Sequence, residues 1–139
     1  NTMIDTLVAF EKQITASTIV RDLNIQGDFV LMTIHRPSNV DSKEGLLKLI
    51  DLLKILDNDL SVVFPIHPRT VARLKQHGLY DQLNGLNKLI ITEALGYFEF
   101  QKLISACRFV LTDSGGIQEE TTYRQKPCLT LRHNTERPI

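Results

Sequence analysis

The stretch FVLTDSGGIQEETTYR, residues 109–124, decides the fold. Phe109 to Thr112 form a short apolar run of the length and composition of a buried strand. Asp113, Ser114, Gly115 and Gly116 follow, and Gln118, Glu119 and Glu120 then open a helix-like segment. A helix N-terminus carries unpaired N–H groups and a partial positive charge, which attract an anion such as phosphate. Glycines let the backbone come close to that anion because no Cβ intervenes, and Ser114 adds a hydroxyl donor. Taken alone, the stretch equally describes a tight strand–helix turn whose acids favour the helix dipole. It is not GxGxxG, and no GxxxxGK[ST] occurs in the chain, so neither the dinucleotide fingerprint nor the P-loop is predicted.

Outward from this stretch the alternation repeats. Residues 28–34 (DFVLMTI), 61–66 (SVVFPI), 88–92 (KLIIT) and 128–132 (CLTLR) read as further strands. Helices are predicted over 2–17, with Met3, Leu7, Val8 and Ile14 on one face, and over the segment NVDSKEGLLKLIDLLKIL. Asp41 or Ser42 can cap the latter, and Leu46, Leu47, Ile50, Leu53 and Leu56 form its stripe. Others are predicted from about 70 to 76, ended by Gly78, over 97–107 and over 117–124. Strands that alternate with helices and are apolar on both faces imply a parallel sheet covered on two sides. The expected class is α/β: a Rossmann-like three-layer domain over residues 1–139. The chain starts inside a helical pattern at Asn1 and stops at Arg137-Pro138-Ile139 without a closing element, so a fragment of a longer protein is expected.

Composition narrows the function classes. The 16 basic and 16 acidic residues cancel, which gives no electrostatic case for nucleic acid as a partner. No run of 18 apolar residues suggests a membrane span, and the amphipathic, acid-bearing start does not read as a signal peptide. Cys107 and Cys128 sit in apolar stretches and read as small buried hydrophobes in a reducing compartment, so a cytoplasmic protein is expected. The histidines lack a spacing such as HExxH and the cysteines are not paired as CxxC, so no metal is expected.

In an open α/β sheet, ligands bind at the carboxyl ends of the strands. Those ends here are His35-Arg36-Pro37-Ser38-Asn39, Pro65-Ile66-His67-Pro68-Arg69, Thr92-Glu93-Ala94-Leu95-Gly96, Asp113-Ser114-Gly115-Gly116, and Arg132 to Arg137. They collect three of the four histidines and four arginines, more than a purely structural edge needs. His35, directly after a buried strand, suits proton transfer or contact with phosphate, and Arg36 suits a bidentate phosphate clamp. His67 reads equally as a turn former, and His77 as a helix cap rather than a site. Glu119 and Glu120 lie too near an anion to ligate it; one of them suits vicinal hydroxyls such as a ribose presents.

The motifs HR with Asn39 after the first strand, PIHPR, TDSGGIQEE, KPCLTLRHNTERP and the start NTMIDTL together resemble the C-terminal half of UDP-N-acetylglucosamine 2-epimerase, in the same order and across essentially the whole chain. That family has the GT-B fold, two Rossmann-like halves with the nucleotide sugar between them. The resemblance implies that this chain is the half that binds UDP, in an enzyme interconverting UDP-GlcNAc and UDP-ManNAc without a cofactor. It implies that Ser114, Gly115 and Gly116 bind the diphosphate and that Glu120 holds the ribose hydroxyls. Arg36 and Arg137 line the cleft near charged parts of the ligand, His35 matches a catalytic histidine, and uracil contacts residues 94–100, Phe98 included. UDP leaves by elimination, giving a 2-acetamidoglucal, and adds back on the C2 epimer. The carboxylates that move protons come from the other half, so this chain alone is not expected to turn over substrate; the whole enzyme is expected to be a homodimer. One departure is plain: the family's HRxEN is HRPSN here, with Pro37 and Ser38.

Three other readings compete: a hydrolysing 2-epimerase that releases free ManNAc, a GT-B glycosyltransferase half, and a non-catalytic nucleotide-binding module. Product analysis separates the first, incubation with UDP-GlcNAc without an acceptor separates the second, and the content of the preceding chain separates the third.

Overall fold

The structure is a computed structural model and describes residues 2–131. Five strands, β1 (Phe29–Thr33), β2 (Ser61–Pro65), β3 (Leu89–Thr92), β4 (Phe109–Thr112) and β5 (Cys128–Thr130), form one parallel sheet in the order β3-β2-β1-β4-β5. The chain winds outward from β1 to β3, then returns to the other side of β1. The order therefore reverses between β1 and β4, which is where a crevice opens above such a sheet.

Alternation along the strands divides the core. Val30 and Met32 of β1 pack with Leu46, Leu49, Ile50 and Leu53 of α5 (Lys43–Leu56) and with Leu74 of α6 (Pro68–Gln76). Phe29 and Leu31 point the other way, against Leu103 and Ile104 of α8 (Tyr97–Ala106) and Cys107. Two apolar clusters on the two faces of one sheet are the three-layer arrangement that two-sided apolar strands imply.

Several elements differ from the expectation in detail. The N-terminal helix is broken at Phe10 into α1 (Thr2–Ala9) and α2 (Glu11–Ala16), and Val8 is 59% exposed while Leu7 and Ile14 stay buried. The short helices α3 (Ile19–Asp22) and α7 (Tyr80–Asn84) lie in segments for which the sequence suggests no element. Pro37 starts a one-turn helix, α4 (Pro37–Val40), separate from α5, because its fixed φ and missing N–H suit the first helical position. Ser42 caps α5, its Oγ accepting from the Gly45 N–H at 3.0 Å. On α5 the buried residue is Leu49, not Leu47, because the stripe follows the 3.6-residue period past the cap. Gly78, at φ +70°, ends α6 as expected. The last strand ends at Thr130, and the segment 132–139 lies outside the described residues. No helix among the described residues is long and apolar enough to cross a membrane.

Candidate functional site

Asp113 organises the reversal point. It follows β4, its side chain is fully buried, and its carboxylate accepts from the backbone N–H of His35 at 3.1 and 3.0 Å and from that of Arg36 at 2.7 Å. Asn39 Nδ2 donates to the same carboxylate at 2.8 Å, and the Nε–H of Arg36 donates to the Asp113 carbonyl. A buried charge needs this many donors to offset its lost hydration. The loop after β1 is thus fastened to the turn after β4 from beneath. Thr33 Oγ1 donates to Thr112 Oγ1 at 2.7 Å, and the Ser114 N–H donates to Thr112 Oγ1 at 3.0 Å, which ties the two strand ends again.

His35 sits on this clamp with its Nδ1 3.3 Å from Asp113 Oδ1 and its side chain 65% exposed. It is therefore not a core histidine. When Nδ1–H faces the carboxylate, Nε2 is left for a ligand. Arg36 is exposed beside it, its main chain and Nε fixed by the same residue. Asp113 went unnoticed as a functional residue in the sequence because an acid before a glycine pair reads as ordinary turn chemistry; its signal is an acid at the end of an otherwise apolar strand.

Ser114, Gly115 and Gly116 form the turn expected between strand and helix. Gly115–Ile117 is a 3₁₀ turn that runs into α9 (Gln118–Tyr123), and Ser114 Oγ accepts from the Gly116 N–H at 3.2 Å. Neither glycine has a left-handed φ. A Cβ on Gly115 would meet nothing within 4 Å, and one on Gly116 would lie 3.5 Å from Ser114 Oγ. The fold itself does not require glycine at either place, so what the two residues supply is bare, approachable main chain.

Glu120 is half-buried on α9, and its Oε1 accepts from Gln101 Nε2 at 3.1 Å. Tyr97 stands near it: partial burial raises the phenol's pKa, the Glu120 carboxylate raises it further, Arg124 opposes, and Glu11 adds a smaller push upward. Phe98 is half-buried, 5.5 Å from the ring of Phe10 and 6.0 Å from that of Tyr97, so it belongs to an aromatic group at the start of α8. Arg137, with the rest of the TERP segment and His133, lies outside the described residues.

His67 and His77 have structural roles. His67 Nδ1 accepts from the Arg69 N–H at 3.0 Å and caps α6, so the turn-forming reading holds. Arg69 and Arg73 face Asp41 at 3.6 and 3.8 Å. His77 closes α6. Among the described residues no group of three or more His, Cys, Asp or Glu is placed to hold a metal ion. Cys107 is buried and Cys128 half-buried, and both are free thiols.

Known proteins share this fold. The family described as UDP-N-acetylglucosamine 2-epimerase matches residues 1–139. A UDP-N-acetylglucosamine 2-epimerase of Methanocaldococcus jannaschii is 41% identical over 144 residues, which cover 99% of this chain and 39% of that protein. The crystal structure of the M. jannaschii UDP-GlcNAc 2-epimerase in complex with UDP-GlcNAc and UDP superposes with a TM-score of 0.83 at 41% identity, covering 99% of this chain and 39% of that one. The UDP-GlcNAc 2-epimerase of Neisseria meningitidis bound to UDP-GlcNAc superposes at 0.77 with 32% identity, covering 99% and 38%. The chain thus spans about two fifths of the length of the relatives it matches, and its architecture is that of one Rossmann-like half of a GT-B protein. On its motifs, its sheet order and these likenesses, the chain belongs to the UDP-N-acetylglucosamine 2-epimerase family.

Proposed function

We propose that this chain is the UDP-binding part of an enzyme that interconverts UDP-GlcNAc and UDP-ManNAc by eliminating and re-adding UDP. The observation that carries this is the Asp113 clamp, which brings His35, Arg36 and the Ser114–Gly116 turn together at the reversal of strand order. Ser114, Gly115 and Gly116 bind the diphosphate through the bare main chain of Gly115 and the Ser114 hydroxyl, the Gly116 N–H turning from Ser114 Oγ to the ligand on binding. Arg36 and Arg137 add positive charge towards the departing UDP, an electrostatic stabilisation of the leaving group. His35 presents Nε2 to the ligand and is the catalytic residue of this half. Glu120 accepts from the ribose hydroxyls, and Phe98 borders the uracil beside residues 94–100.

The protons at the sugar's C2 and C3 need carboxylates, which we assign to a part of the enzyme other than this chain. The chain alone binds UDP and does not turn over UDP-GlcNAc. The whole enzyme is a cytoplasmic homodimer that needs neither metal nor cofactor. Calorimetric titration of UDP into the chain and into its Glu120→Ala variant tests the assignment. A drop in affinity of about ten- to a hundredfold is expected, the worth of one or two charge-assisted hydrogen bonds; equal binding curves for the two would overturn the ribose role.

A further inference from the structure

A hydrogen-bonded file of side chains, buried at its middle, ends on Glu120. Gln101, on α8, is 1% exposed. Its Nε2 donates to Glu120 Oε1 at 3.1 Å, and its Oε1 accepts from Arg124 Nε at 3.2 Å. The guanidinium of Arg124, whose side chain is 6% exposed, continues to Glu11 on α2: Nη1 donates to Oε2 at 3.3 Å and Nη2 to Oε1 at 3.2 Å. The order of donors and acceptors admits one arrangement. Arg124 has only donors, so Gln101 must turn its oxygen to it. The amide's N–H is thereby aimed at Glu120, which as a carboxylate has only acceptors. Arg124 is in turn held in its plane by the bidentate contact with Glu11.

We infer that Gln101 is a positioning residue for nucleotide binding: oriented by Arg124, it fixes the carboxylate of Glu120 so that Oε2 is presented to a ligand's ribose hydroxyls. A glutamate on the surface of a six-residue helix, α9, otherwise samples several rotamers, and a ligand must then restrict them on binding. The donor from Gln101 removes that freedom in advance while leaving the second oxygen to the ligand. The raised Tyr97 phenol pKa, which responds to Glu120, Arg124 and Glu11, places the same groups within one local field. The file also ties α2 to α8 and α9, so the setting of the N-terminal helices bears on the ribose contact. This inference rests on the proposed ribose role of Glu120.

The test compares UDP with 2′,3′-dideoxy-UDP, which lacks both hydroxyls, by calorimetry on the 139-residue chain. The wild-type chain should prefer UDP by about ten- to a hundredfold, and Glu120→Ala should reduce that preference to about one. Gln101→Leu should lower the preference about five- to tenfold with the dideoxy affinity unchanged. Added to Glu120→Ala, it should change nothing further, since its effect passes through that carboxylate. Gln101→Glu keeps the shape and the Arg124 contact but turns an acceptor towards Glu120, and should lose the preference in the same way even if Gln101→Leu folds poorly. If Glu120→Ala abolishes the preference while both Gln101 variants keep it, the positioning role is wrong and the ribose reading stands. A wild-type preference of about one, or one that Glu120→Ala leaves intact, removes the ribose reading and this inference with it.

Discussion

Asp113 holds His35 by its main chain as well as by its ring: both carboxylate oxygens lie within 3.1 Å of the His35 N–H, and Oδ1 lies 3.3 Å from Nδ1. The carboxylate sits under the loop it fastens, so its contribution to stability and its contribution to the site are the same set of bonds. Asp113→Asn turns part of that acceptor into a donor facing the N–H groups of His35 and Arg36. A loss of about 2–4 kcal/mol is expected, since buried donors are left unpaired. Urea unfolding measures it, and the amides of residues 35 and 36 should exchange faster than those of β1.

Gly115→Ala separates folding from binding. Its φ is ordinary and a Cβ there would meet nothing within 4 Å. Stability should be unchanged or higher by up to about 1 kcal/mol, because alanine loses less backbone entropy on folding. Affinity for UDP should fall about tenfold or more, because the methyl takes space the diphosphate needs. An alanine variant that binds UDP as the wild type does would remove Gly115 from the site.

Gly45 is a different kind of glycine. A Cβ there would collide with the Ser38 carbonyl oxygen and lie 3.0 Å from Asn39 Cα, both main chain. Gly45→Ala must push α4 away from α5 and carry Asn39 off Asp113. About 1–3 kcal/mol of destabilisation is expected from thermal unfolding, together with weaker UDP binding, although residue 45 is not assigned to the ligand.

The Cys107 thiol gives a pH signature. Burial pushes its pKa up to about 11, with Lys126 opposing. As pH rises, the unfolded thiol loses its proton first and the folded one later. Between the ordinary thiol value and about 11 the folded state therefore binds more protons, and stability falls across that window and levels off above it. Below the window the full contribution is present. At pH 8 a thiol reagent should label Cys128 quickly and Cys107 only as the chain unfolds, which mass spectrometry of the labelled protein resolves.

Much of this was legible in the residues, for identifiable reasons. The strands are short, apolar runs between turn signals, and the sheet's class follows from their alternation with helices. The turn at Ser114–Gly116 was found because glycines and a hydroxyl residue at a strand–helix junction are a local signal. What escaped depends on distance in the sequence. Asp113 meets His35 across 78 residues and Arg124 meets Glu11 across 113, and no local pattern announces either. Gln101 looked like one polar residue on an amphipathic helix; only the packing of α8 against α9 shows that it is buried and what it faces. The break at Phe10 was missed because the helical periodicity continues on both sides of it, and Leu47 was misplaced because in a leucine-rich run only the exact phase of α5 separates it from Leu49.

The clamp at Asp113 reads peptide groups at positions 35 and 36, and Pro37, which has no N–H to give, comes immediately after them. Any non-proline residue at either position offers the same hydrogen. The reactive side chains at this sheet end can thus be exchanged with only the His35 ring contact and the Arg36 Nε bond lost and the main-chain anchorage kept, much as tools are swapped in a fixed chuck. A library randomised at 35 and 36 should yield folded proteins almost throughout, with proline at either position the exception.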